Sequence, residues 1–142
     1  MTPANKGTYL LFMVFRNPVT IEVGSLGTIN IDPGEYCYAG SAMNGLDGRI
    51  RRHFAAEKKM HWHIDRLTTK ADGMEAYIST SAEECTLSDL AVKCGCVRAV
   101  KGFGCSDCGC LTHLFSADAI SKQKLLNSSG VVPFSEKEIR RR

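Results

Sequence analysis

The sequence predicts a small α+β domain: a small antiparallel sheet flanked by about three helices, with an inserted β-hairpin and an irregular cysteine-rich segment. Three observations predict it. Two runs rich in aromatic and branched apolar residues, Gly7 to Phe15 and Glu35 to Ser41, have the length and composition of core strands. Between them, an alternating stretch turns back on itself at Gly24-Ser25-Leu26-Gly27, the pattern of a hairpin. After them, Leu46, Ile50 and Phe54 recur at i, i+4 and i+8, the apolar stripe of a helix.

Taken in order, Gly7 to Phe15 (GTYLLFMVF) has apolar residues on both alternating faces and reads as a strand buried on both. Arg16-Asn17-Pro18 turns the chain. Thr20 to Val23 and Thr28 to Ile31 are the two hairpin strands, and Asp32-Pro33-Gly34 is a strong turn signal before Glu35 to Ser41. The first helix is predicted over Gly45 to Glu57. A second, shorter one over Met60 to Lys70 carries Trp62, Ile64 and Leu67. Gly73 to Thr80 reads as a third core strand and Ser81 to Val92 as a third helix, with Leu87, Leu90, Ala91 and Cys94 near one face. Gly102 to Phe115 is too rich in Gly and Cys for a regular element until its last residues. A short helix near Ala119 to Leu126 then leads into a loose tail ending Arg140-Arg141-Arg142. The expected organisation is one domain over residues 1–117 and a polar C-terminal extension over 118–142.

Composition narrows the class. A chain of 142 residues buries roughly two-thirds of its unfolded surface and needs no disulfide staple. No apolar run approaches the ~20 residues of a membrane span, and Met1 to Lys6 lacks an apolar signal core, so the expected location is cytoplasmic, with no membrane partner. The seven cysteines, an odd number, then read as reduced thiols or metal ligands. A net charge of +3 permits nucleic acid as a partner without requiring it.

Several constellations carry chemistry-bearing groups. Tyr9 and Tyr38 lie near the middles of two predicted strands, while Arg49 and His53, one helical turn apart, border the apolar stripe of the first helix. A phosphate suits an Arg placed at such an edge, because the guanidinium fork matches its oxygens. The alternative is an Arg paired with an acid, beside two plain core tyrosines. Glu83 and Glu84 both fall beside the apolar face of the third helix, and periodicity does not choose between them. Ser81 and Glu84 also spell a capping box. Cys105, Cys108, Cys110 and His113 have the donor set of a structural zinc knuckle, in which Cys85 can replace one member. The alternative is a reduced cluster packing a Gly-rich loop. Cys94-Gly95-Cys96 is a further pair with no role assigned. In His61-Trp62-His63 the two imidazoles do not share a helical face, and Trp62 reads first as core. Arg49, Arg51, Arg52, Lys58 and Lys59 either track a phosphate backbone or form a solvated face. A zinc deaminase is excluded because neither His61 nor His63 is followed by the required Glu and Gly104, not Pro, precedes Cys105.

Gly7-Thr8-Tyr9, Tyr38-Ala39-Gly40 with Ser41-Ala42, and Arg49 to Phe54 (RIRRHF) resemble the GIY-YIG nuclease pattern: a Gly-x-Tyr strand, a Tyr-x-Gly strand and a helix carrying Arg and His. A closer resemblance is to the Uri superfamily endonucleases within that group. It is carried by Val23 to Gly27, Tyr38 to Ala42, Arg52-His53, His61 to Asp65, Glu84-Cys85 and Gly102 to Cys108, and runs from about Gly7 to Phe115. It implies hydrolysis of nucleic-acid phosphodiesters, DNA ahead of RNA, with one Mg2+ or Mn2+ ion. By the same resemblance Tyr9 orients or activates the attacking water and Tyr38 hydrogen-bonds near the scissile phosphate. Arg49 offsets charge on the five-coordinate phosphate, His53 positions or exchanges a proton, and Glu84 is the metal carboxylate. A protein partner for targeting is expected, because such domains often rely on attached domains for specificity. The departures are the long gap between the tyrosine motifs, filled by the predicted hairpin, and the missing late asparagine, whose place Asp107 or His113 would take. The competing function is a non-catalytic nucleic-acid-binding module of the same fold, stabilised by zinc.

Overall fold

The structure, a computed structural model, describes residues 6–42, 45–55, 64–80, 82–100, 103 and 112–134. At its centre β1 (Gly7–Phe15) pairs antiparallel with β4 (Gly34–Ala42) on one side and β5 (Gly73–Ser79) on the other. Short strands extend both edges: β7 (Leu114–Ser116) and β6 (Val97–Arg98) beyond β4, and β8 (Val132–Pro133) beyond β5. The six-stranded order is β6-β7-β4-β1-β5-β8, antiparallel throughout. The predicted α+β class therefore holds, with a wider sheet than the three core strands visible in the sequence.

The central position of β1 explains its unbroken apolar run: it is covered on both faces. Tyr9, Leu11, Met13 and Phe15 point into one layer with Leu46, Ile50, Ile64 and Leu67. Leu10 and Phe12 point into the other, with Cys37, Ala39, Leu87, Ala91 and Leu125. Helix α1 (Leu46–Phe54) and the one-turn helix α2 (Asp65–Thr68) cover the first layer, whereas α3 (Glu84–Lys93) and α4 (Ala119–Ser129) cover the second. The hairpin forms its own two-stranded sheet, β2 (Val19–Val23) with β3 (Gly27–Ile31), and its alternation sends Ile21, Val23, Ile29 and Ile31 into the first layer.

Two stretches differ from expectation. The second helix is one turn, Asp65–Thr68; the rest of its predicted span, with His61, Trp62 and His63, lies outside the described residues. Residues set apart as a polar extension instead join the sheet. Helix α4 opens on Asp118, whose carboxylate accepts from Ser121 N at 2.7 Å, and closes on the left-handed Gly130. Leu125 is fully buried, Lys122 reaches Glu35 and Glu75 at 2.8 and 2.9 Å, and β8 then pairs with β5. The hydrophilic periodicity of α4 hides this, because a single leucine and one buried lysine stem do the packing. Arg140, Arg141 and Arg142 lie outside the described residues. No helix among the described residues is long and apolar enough to cross a membrane.

Candidate active site

The first strand of the site presents Tyr9, which is 1% exposed and lies directly opposite Gly40 of β4. A Cβ on Gly40 would sit 2.5 Å from both Cζ and Oη of Tyr9 and 3.0 Å from Tyr38 Cε2, so the glycine is the floor over which the phenol lies. Tyr38 comes from the same strand, its ring 6.3 Å from that of Tyr9 and edge-on to Phe103 at 6.1 Å. Gly7, at the same end of the sheet, has Ser79 O 2.3 Å from its missing Cβ; any side chain there would part β1 from β5. Both glycines of the tyrosine motifs thus have a steric reason. Gly40→Ala is expected to destabilise the protein by about 1–3 kcal/mol and to displace the Tyr9 phenol. Thermal melts and near-ultraviolet circular dichroism check this.

Helix α1 supplies the polar partners. His53, fully buried, holds its Nε2 2.7 Å from Tyr9 Oη, with the two ring centroids 5.3 Å apart. Arg49, one turn earlier, donates from Nη1 to Ser41 O at 2.8 Å and also hydrogen-bonds the Tyr9 phenol. The predicted one-turn spacing therefore brings both groups to the seam between helix and sheet, as the wheel required. Burial pushes the Tyr9 phenol up from 10.0 to about 12, outweighing Arg49, which lowers it; Glu84 and Asp65 raise it further. At neutral pH the phenol keeps its proton. With His53 Nε2 unprotonated, Tyr9 Oη accepts from Arg49 and donates to His53 Nε2.

A raised folded-state value makes this a source of stability fully present below pH 10 and lost as pH climbs through about 12. Melting temperature is expected to fall across that window in the wild type. It should fall less steeply in Tyr9→Phe, measured over the same range.

Glu84 arrives from the other side. Helix α3 packs on the sheet face opposite α1, and its first turn comes to the same sheet end, where Thr8 Oγ1 donates to Ala82 O at 2.8 Å. The helix begins at Glu84. Its N-cap is Glu83, in extended conformation and without a side-chain capping bond, so the Ser81–Glu84 capping register is not the one formed; Ser81 lies outside the described residues. The Glu84 side chain is 27% exposed, and its charge is felt at Tyr9. Tyr9, Tyr38, Arg49 and His53 therefore share one layer, whereas Glu84 opens a helix packed on the other, close enough for its charge to act on Tyr9.

Glu84 also faces His113, whose Nε2 lies 3.6 Å from Glu84 Oε2 and whose Nδ1 lies 2.5 Å from Ser88 Oγ. Burial pulls the His113 imidazole below its ordinary value, against Glu84, which raises it. Of the zinc-knuckle residues, Cys105, Cys108 and Cys110 lie outside the described residues, as does Asp107. Cys37, Cys94 and Cys96 are free thiols. Among the described residues no three His, Cys, Asp or Glu side chains are grouped to hold a metal ion. A single half-exposed carboxylate still fits magnesium or manganese, which take few protein ligands and keep several waters.

Two functional contacts escape sequence reading. Ser88 is one turn from Glu84, on the same face, a spacing that flags it once Glu84 is chosen. Asp65, fully buried, grips Arg52 by both carboxylate oxygens at 2.5 and 2.8 Å and ties α2 to the helix that carries Arg49 and His53.

The family model described as domain of unknown function DUF123 matches residues 8–131, and the chain belongs to that family. No curated protein and no solved structure matches it.

Proposed function

We propose that this member of the DUF123 family is a cytoplasmic, metal-dependent endonuclease that hydrolyses phosphodiester bonds in nucleic acid, DNA ahead of RNA. The observation that supports it is Tyr9 held at 2.7 Å from His53 Nε2, hydrogen-bonded by Arg49 and within the field of Glu84. A structural core seldom gathers a phenol, an imidazole, a guanidinium and a carboxylate at one sheet end, because each costs desolvation.

In this reading Glu84 would hold Mg2+ or Mn2+, and the ion would supply positive charge that polarises the phosphate. The residues do the rest. The attacking water gives its proton to Tyr9 Oη while Tyr9 passes its own to His53 Nε2, so the phenol need not ionise ahead of the step. Arg49, held in place by its bond to Ser41 O, presents its charge to the phosphate oxygens as negative charge grows there. Tyr38, nearly buried on the neighbouring strand, donates its hydroxyl to the phosphate. Arg51, on the outer side of α1, extends the cationic surface along the backbone.

Incubation of supercoiled plasmid and a labelled hairpin DNA with magnesium or manganese, and in parallel with EDTA, tests this. Nicking is expected with either metal, none with EDTA, and loss by at least about 100-fold in Glu84→Ala. Binding of the same DNA without cutting under any divalent ion would replace the nuclease by a binding module.

A further inference from the structure

We propose that His113, oriented by Ser88, is a positioning residue that holds the Glu84 carboxylate in register with the strand carrying Tyr38. The inference rests on the nuclease reading, in which Glu84 holds the metal.

The three side chains form a short polar string in an otherwise apolar layer. His113 is 0% exposed and Ser88 3% exposed, while their surroundings are Leu10, Cys37, Ala39, Leu87 and Phe115. An imidazole in such a place costs several kcal/mol relative to a leucine of similar size unless its nitrogens are engaged. Here Nδ1 meets Ser88 Oγ and Nε2 faces Glu84 Oε2. Glu84 and Ser88 are four apart on α3, so both address the imidazole from one helical face.

The backbone fixes the other end. His113 O accepts from Ala39 N at 3.0 Å, and His113 N donates to Phe103 O at 2.9 Å, placing the ring beside the strand segment Tyr38-Ala39-Gly40. Glu84 to His113 to Ala39 is thus a link from α3 to the tyrosine motif that runs through polar groups.

A Ser88 hydroxyl that donates would select the tautomer. A neutral imidazole carries one proton, and a Ser88 O–H donated to Nδ1 leaves that proton on Nε2, directed at the carboxylate. At 3.6 Å the Nε2–Oε2 separation is longer than a hydrogen bond, and the partly exposed Glu84 chain has the freedom to close it. A carboxylate so faced is held in one orientation, the service that partners behind a metal ligand give in general. Ser88 itself is too buried to meet a substrate, so the string is not a nucleophilic triad.

Manganese binding to the full chain, followed by the electron-paramagnetic signal of the free ion without nucleic acid, tests the assignment. His113→Leu fills the space but lacks the donor; it is expected to weaken binding about 10–100-fold. His113→Gln, which restores an N–H near the Nε2 position, should stay within about 3-fold of wild type by the same logic. A packing role would predict the reverse order, because leucine suits an apolar layer better than glutamine. Ser88→Ala, a small change that keeps the fold, should weaken binding in the same direction as His113→Leu. It decides the matter if the leucine variant does not fold. Glu84→Gln is the control for the underlying reading and should abolish binding. If Glu84→Gln abolishes it while Ser88→Ala and His113→Leu bind as wild type, the positioning role is wrong and the nuclease reading stands. If Glu84→Gln binds manganese as wild type does, Glu84 is not the ligand and both fall.

Discussion

Arg49→Ala is expected to lower the single-turnover rate of metal-dependent nicking by about 10²–10³-fold, the range for removing one preorganised donor from a developing anion. The geometry gives two reasons for a large effect. Arg49 is already fixed before substrate arrives, with Nη1 on Ser41 O at 2.8 Å, so its charge costs no reorganisation during the reaction. It is also the group that draws the Tyr9 phenol downward against burial; without it the phenol gives up its proton still less readily. Arg49→Lys keeps the charge and loses the planar fork, and an intermediate rate is expected. Affinity for DNA should change far less than rate, since the proposed role of Arg49 is exerted on charge that develops only in the transition state. A rate within about 3-fold of wild type would remove Arg49 from the reaction, because even one lost charge-assisted hydrogen bond is worth more.

The second large effect is on stability. Arg52→Ala takes two hydrogen bonds, at 2.5 and 2.8 Å, from the Asp65 carboxylate, which is 0% exposed. Breaking a buried pair from one side costs about 3–5 kcal/mol, and melting temperature should fall by roughly 10 °C or more for a domain of this size. Asp65→Ala should cost less. The remaining Arg52 side chain, 26% exposed, can turn toward water, whereas the buried carboxylate cannot. The double replacement Arg52→Leu with Asp65→Leu should recover part of the loss, since it leaves no charge buried. Urea titration of the three variants beside the wild type measures all three differences. Because Asp65 ties α2 to α1, nicking by Arg52→Ala at low temperature also reports whether that helix must be held for Arg49 and His53 to act.

How much of this was legible in the sequence follows from what kind of force places each part. The strands β1, β4 and β5 and helix α1 are set by apolar burial, which writes itself into local periodicity; Leu46 and Ile50 are both essentially inaccessible. The seam position of Arg49 and His53 followed from that same wheel. By contrast, β6 and β8 are two residues each and exist through pairing with β7 and β5, so no local signal marks them. Helix α4 was read as the start of a loose extension because its packing relies on Leu125 and the bridging Lys122, not on an apolar stripe. The layer assignment of α3 was equally invisible. Only the fold reveals that the charge of Glu84, on a helix of the other layer, acts on Tyr9, and that Ser88 and His113, 25 residues apart, meet beside Glu84. Periodicity left Glu83 and Glu84 level; in the structure Glu83 caps the helix and Glu84 opens it.

The account stands or falls on the four polar groups of the tyrosine layer and the Glu84 carboxylate addressing one ion-and-phosphate site. Anomalous scattering from a crystal soaked in manganese measures this directly. The account predicts a manganese peak bonded to Glu84 on the side that faces Tyr9 and Arg49, at the ~2.1–2.2 Å expected for a small hard divalent ion with oxygen ligands. Manganese bound elsewhere, with Glu84 turned away from the tyrosines and carrying no ion, would contradict it.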